Sequence, residues 1–233
     1  MTAQPLTSPN DAMPEAPAAA PVHFAINRGI GFARPSLLID ALRQGVPIIL
    51  CDDEDRENEG DLVFAAVHSS PRLVAQMIRE CGGLICVALA PELATAFGLK
   101  PMVPTNQCPK GTAFTASVDA ARGVSTGISA RDRALTIRLL GDPRTRPEDL
   151  VSPGHVFPLA ARPGLLDARQ GHTEASVSLA ISAGLPPAAA ICEILDEEGE
   201  AMRRDALFGF ARRRDLLIGT VAALSAWSGL PHC

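Results

Sequence analysis

The chain has 233 residues, 47% hydrophobic and 20% charged, with a net charge of −5. That size allows one domain with a real core, and the lack of a basic stripe or an aromatic platform argues against nucleic-acid binding. No apolar stretch is long and unbroken enough to span a bilayer, and the N-terminus lacks the basic and apolar regions of a secretory signal. A cytoplasmic protein with no membrane or nucleic-acid partner is therefore expected.

Residues 1–21 are rich in Pro, Ala, Ser and Thr without an apolar period, so a disordered N-terminal tail is expected, followed by one domain over 22–233. Order should begin near 24–30. Ser36 is placed to cap a helix over 37–44, stopped by Gly45. Residues 46–51 read as a strand, 52–61 as an acidic loop and 62–67 as a second strand. Ser70-Pro71 opens a helix to Cys81 with Val74, Met77, Ile78 and Cys81 on one face. A strand over 84–89 and a short helix over 91–97 follow. Residues 100–111 contain three prolines and no period, the mark of a long loop of functional interest.

A strand over 114–118, a helix over 131–140 and a strand over 155–161 come next. The chain then has a helix over 174–183, a strand over 188–195 and two helical stretches near 207–213 and 220–227, with 216–218 extended between them. Strands and helices alternate, yet some neighbouring strands look hairpin-like. The expected fold is α+β, a single domain with a mixed β-sheet flanked by helices. The six cysteines (51, 81, 86, 108, 192 and 233) have no zinc-type spacing and read as free thiols.

The stretch 52–61, DDEDRENEGD, sets seven carboxylates against one arginine, which alone exceeds the charge of the whole chain. A helix–loop–helix calcium site is excluded by spacing. With Asp53 as its first position, Asn58 falls where Gly is needed and Phe64 where a bidentate Glu is needed. Both a solvated turn and a divalent-cation site with carboxyls of raised pKa fit the residues alone. Arg169-Gln170-Gly171-His172-Thr173-Glu174 opens a helix, with Thr173 a plausible N-cap. Free N–H groups, the helix dipole and Arg169 would seat a phosphate there. His155 begins a strand, Glu193 lies inside an apolar strand where a carboxyl must be paired or neutral, and 126–133 could be an anion contact or an ordinary capped turn.

Several stretches together resemble the 3,4-dihydroxy-2-butanone 4-phosphate synthase family of riboflavin biosynthesis. They are DDEDRENEGDL (52–62), GGLICVAL (82–89), GTAFTASVDA (111–120), GVSTGISARDRALTI (123–137), PGHVFPL (153–159), GHTEA (171–175) and ICEI (191–194). The resemblance implies a Mg²⁺-dependent (or Mn²⁺-dependent) lyase with two ions per site, acting on D-ribulose 5-phosphate as a homodimer with sites at the subunit interface. It implies Glu57 and His172 as metal ligands. Arg56, Glu57, Asp61, Cys86, Arg169, Gln170, Gly171, His172, Thr173 and Glu193 would bind substrate, and His155 and Glu193 would be essential for proton transfer. Family fusions to a GTP cyclohydrolase II domain exist, and the length here implies the monofunctional form. Four positions depart from the usual pattern: Ser152 for Arg, Pro163-Gly164 for Gly-Gly, Ser178 for Asp, and Arg213–Arg214 where His is frequent.

Overall fold

Proline lacks an N–H that the first helical turn would leave unpaired, so Pro35, not Ser36, opens α1 (Pro35–Arg43). Arg34 takes the N-cap position, and Gly45 leaves the helix at a φ of +74°. The computed structural model describes residues 31–227 and Gly229. The expected tail over 1–21, the expected onset of order at 24–30 and Cys233 lie outside the described residues.

Seven strands form one mixed sheet: β1 (Ile48–Cys51), β2 (Gly60–Ala65), β3 (Cys86–Leu89), β4 (Val118–Ala120), β5 (Leu150–Ala160), β6 (Ala188–Glu193) and β7 (Leu217–Thr220). Their spatial order is β4-β5-β3-β6-β2-β1-β7. The β1–β7 and β3–β5 pairs are parallel and the other four are antiparallel. The central strands are buried on both faces, which explains their near-continuous apolar runs.

Side-chain alternation splits each strand between two cores. Ile49, Cys51, Leu62, Phe64, Val87 and Cys192 face α2 (Pro71–Gln76), α4 (Ala130–Leu140) and α7 (Arg204–Arg214). Ile48, Leu50, Val63, Cys86 and Ile191 face α1, α6 (His172–Ser182) and α8 (Val221–Ser225). Two short helices, α3 (Pro91–Ala96) and α5 (Leu165–Ala168), complete the set. Helix α6 is buried almost all round, so its sequence shows no polar face. None of the described helices is long and apolar enough to cross a membrane.

Three expected elements differ. The helix expected to run to Cys81 changes at Met77–Cys81 into a π turn, ending at Gly82 with φ +77°. The strand expected at 114–118 is reduced to isolated bridges at Phe114 and Thr115, and the paired strand is β4. Strand β5 begins at Leu150, five residues early, because Leu150 and Val151 pair with Ala120 and Asp119, and Ser152-Pro153-Gly154, which reads as a turn, is bulged out before pairing resumes at Val156.

Candidate active site

Strand register brings the separated motifs together. Cys86 lies between Phe157 and Ile191, and Ile191 opposite Val63. Two residues along, on the same face, Asp61 pairs with Glu193 on one side and Leu50 on the other. Just ahead of β3, where the pairing with β6 shifts to a Gly82–Ile194 bridge, the Leu84 N–H reaches the Glu193 carboxyl, and His155 lies two residues before Phe157 on the same face of β5. Helix α6 packs on this face, and His172 is its first residue. The helix begins at the N-cap Gly171, not at Thr173 as expected, which places Thr173 inside the first turn.

The acidic loop between β1 and β2 is a built structure. Buried Asp52 accepts the N–H groups of Glu57 (3.1 Å) and Glu59 (2.9 Å) and an Arg56 guanidinium nitrogen (2.8 Å). Asp53 accepts the Asp55 N–H, and Asn58 takes a positive φ of 55°. Arg203 at the start of α7 donates to the carbonyls of Glu57 and Asn58, and Arg204 pairs with Glu54 at 2.7 Å. Arg56 also contacts the Glu57 carboxylate, and Lys110 reaches the Arg56 carbonyl. A solvated turn would not need this many partners.

His172 Nε2 lies 3.1 Å from the Leu50 carbonyl, which only accepts. The ring therefore carries its proton on Nε2 and turns the Nδ1 lone pair toward the site. Burial pushes its pKa down, keeping the ring neutral. Asp61 Oδ1 is 3.9 Å from that Nδ1 and is a buried oxygen with no hydrogen-bond partner. Burial, then the charges of Glu193, Glu59, Glu57 and Asp52, push the Asp61 carboxyl well above the usual carboxylate range. Glu59 is raised too, first by burial and then by Glu57 and Glu193. Ligand atoms of Asp52, Glu57 and His172 lie within 4.8 Å of one another. An orphaned buried carboxylate oxygen, further carboxylates and an imidazole lone pair form a donor set suited to a hard divalent cation.

Glu193 Oε2 accepts the Leu84 N–H at 2.8 Å. Gly83 permits this, since a Cβ there would stand 2.5 Å from the Glu193 carbonyl and 2.6 Å from Oε2. Cys86 is buried in the neighbouring row on the same face, and burial with Glu193 and Asp61 nearby drives its thiol pKa far upward, so it is neutral. Arg169 is a strut. It donates to Glu174 (2.6 Å), the Lys110 carbonyl (3.0 Å) and the Thr112 hydroxyl (2.9 Å), tying the long loop to the start of α6. Gln170 and Gly171 lead into that helix start.

His155 stands further along the row, its side chain 40% exposed, with Nδ1 2.7 Å from Asp119 Oδ2. Asp52, Glu59 and Asp119 join the site without having been assigned a part in it from sequence. For Asp119 the signal was present: like Glu193, it is a carboxylate within an apolar strand. The departures lie aside from the metal-type cluster. Ser152 bonds the Ser117 carbonyl, Ser178 is buried within α6, and Arg214 pairs with Glu80 over Phe210.

A model of the 3,4-dihydroxy-2-butanone 4-phosphate synthase family matches residues 36–227. The chain belongs to that family. The 3,4-dihydroxy-2-butanone 4-phosphate synthase of Chromobacterium violaceum is 46% identical over 201 residues, covering 86% of this chain and 96% of the relative. The riboflavin biosynthesis protein RibBA of Aquifex aeolicus is 52% identical over 188 residues, which are 80% of this chain but 46% of that longer protein. A crystal structure of a family synthase in complex with two magnesium ions has a TM-score of 0.81 and 43% identity, covering 83% of this chain and 95% of that one. The family places the chain among the enzymes of riboflavin biosynthesis, and the mixed sheet flanked by helices is the fold expected from sequence.

Proposed function

We propose that the protein is a Mg²⁺-dependent lyase that converts D-ribulose 5-phosphate into L-3,4-dihydroxy-2-butanone 4-phosphate and formate, with Mn²⁺ able to replace Mg²⁺. The observation that carries this reading is the unpartnered Asp61 oxygen beside the His172 lone pair, ringed by Glu57, Glu59 and Glu193. Glu57 and His172 would hold the metal, two ions per site, a reading supported by a related synthase solved in complex with two magnesium ions. The bound cation supplies positive charge to sugar oxygens that gain negative charge as protons leave neighbouring carbons.

This chain's own residues supply the rest. Asp61 and the free edge of the Arg56 guanidinium would hold the sugar hydroxyls. The first turn of α6, through Gly171 and Thr173 with Gln170 and Arg169 alongside, would seat the phosphate. Glu193, fixed by the Leu84 N–H, and His155 would move protons between neighbouring carbons. Neutral Cys86 would form part of the pocket wall. Loop 100–112, tethered through Lys110 and Thr112, would exclude water from a reactive enediol. We further propose a cytoplasmic homodimer with its sites at the subunit interface.

The test is to incubate purified protein with D-ribulose 5-phosphate and Mg²⁺ and follow formate by proton NMR. Formate that appears with Mg²⁺ and stops on chelation supports the reading. Substrate left intact in the presence of either metal overturns it.

A further inference from the structure

The acidic loop is gripped from outside by residues that the metal-type cluster does not include. Three consecutive carbonyls, those of Arg56, Glu57 and Asn58, each accept from a cation on another element. Lys110 of the long loop reaches the first. Arg203, the N-cap residue of α7, donates to the other two at 3.0 and 2.7 Å. Both bonds leave one nitrogen, Nη1, whose two N–H groups serve one carbonyl each. Helix α7 comes this near because Gly60 has no side chain, and a Cβ there would stand 2.5 Å from Leu207 Cδ1. Arginine is also a poor choice for the helix itself. It makes no side-chain cap bond, where Ser, Thr, Asp or Asn would, and it adds positive charge to the positive end of the helix dipole. The residue at this position therefore serves the loop at some cost to the helix.

We infer that Arg203 is a positioning residue: by fixing the carbonyls of Glu57 and Asn58, it sets the Glu57 carboxylate beside His172 to receive a divalent cation. The backbone of Glu57 is held on both sides, its N–H by Asp52 at 3.1 Å and its carbonyl by Arg203. The second bond of Arg203 falls on Asn58, the one loop residue with a positive φ, where the chain turns back toward β2. A ligand on an unrestrained loop has to be ordered as the cation binds, and that lost freedom weakens binding. Here the ordering is completed on folding. Outer partners that orient a metal ligand act in the same way. The grip stands on geometry alone, whereas its consequence for the cation rests on the proposed metal role of Glu57.

The experiment compares the unmodified chain with Arg203→Ala and Arg203→Lys, using Mn²⁺ as the probe. The free-ion signal in electron paramagnetic resonance falls as Mn²⁺ binds, so affinity is read without turnover. Arg203→Ala should raise the Kd for Mn²⁺ about tenfold or more. Its melting temperature in chelator should stay near the parent's, since Arg203 is exposed and its loss leaves the core intact. Arg203→Lys should recover most of the affinity, because an ammonium has three donors and can offer two of them to the same carbonyls. Hydrogen exchange in chelator gives the second reading. The Glu57 and Glu59 amides, bonded to Asp52, should exchange faster in Arg203→Ala and at the parent's rate in Arg203→Lys. Parent-like Mn²⁺ affinity in Arg203→Ala overturns the inference, and so does a loss that lysine does not recover. Unchanged exchange of the two amides in Arg203→Ala overturns it as well. If the unmodified protein binds no Mn²⁺, the metal reading of Glu57 fails, and the exchange rates still decide whether Arg203 holds the loop.

Discussion

Asp61 shows how a single residue can sacrifice stability for a proposed binding site. Its buried oxygen has no partner among four neighbouring carboxylates, so in the absence of metal its ionised form is destabilising. Asp61→Asn should stabilise the metal-free protein by about 1 kcal/mol or more, raising Tm by about 2–4 °C, while turnover is lost. Calorimetry in chelator and the formate assay check the two halves. A lower Tm would mean that the carboxyl has a structural partner. His68, away from the site, gives a pH signature. Burial pushes its pKa below the usual value, and its buried Nε2 has no partner. The folded chain therefore takes up the proton less readily than the unfolded chain. Stability is lost as pH falls from about 6.5 toward the lowered value. Between pH 7.5 and 5, Tm of the parent should drop further than that of His68→Gln, which cannot charge. His172 shifts in the same direction, but it is common to both proteins and cancels in the comparison.

At the scale of elements, the site is made by strand ends. Gly83 lies against the Glu193 backbone and carboxyl, so Gly83→Ala must displace one of them. We expect about 1–3 kcal/mol of lost stability and at least about tenfold lower kcat, measured by thermal melts and formate release. Unchanged kcat would show that the Glu193 position is not critical. Most of the sheet was legible because apolar runs of four to eight residues bounded by turn residues describe buried strands. The start of β5 was not, since Ser152-Pro153-Gly154 carries the composition of a turn and sits in the strand only as a bulge between the paired residues Val151 and Val156. The N-terminus of α6 was misplaced for a related reason: Gly171 lacks the side chain that marks an N-cap, and Thr173 has one. Within the acidic loop, sequence pointed to Arg56, Glu57 and Asp61. It could not show that Asp52 organises the turn or that Glu59 leans toward Glu193, because both depend on how the loop closes between β1 and β2. Arg169 read as a phosphate ligand, and its present bonds to Glu174, Lys110 and Thr112 appear only once the long loop is folded against α6.

For the whole molecule, three of the exposed large apolar side chains among the described residues lie beside Glu193 and His155. Leu84, at the head of β3 and bonded to Glu193, is 43% exposed. Ile128 and Val151 are also exposed and bracket the Asp119–His155 pair, Ile128 from the loop of Gly127 and Val151 as the register partner of Asp119. A second copy covering this region would close the open side of His155 and bury those three side chains together. Each aliphatic side chain fully buried contributes about 1.5–3 kcal/mol, and a charge forced into the same dry contact has no partner there. Ile128→Asp combined with Val151→Asp should therefore weaken a homodimer at least about 100-fold. Sedimentation velocity at micromolar concentration should show dimer for the parent and monomer for the variant. Because the site would be shared, kcat should fall together with the dimer fraction and recover as protein concentration rises. A variant that stays dimeric places the interface elsewhere, and a monomer with full activity shows that one chain suffices for the chemistry.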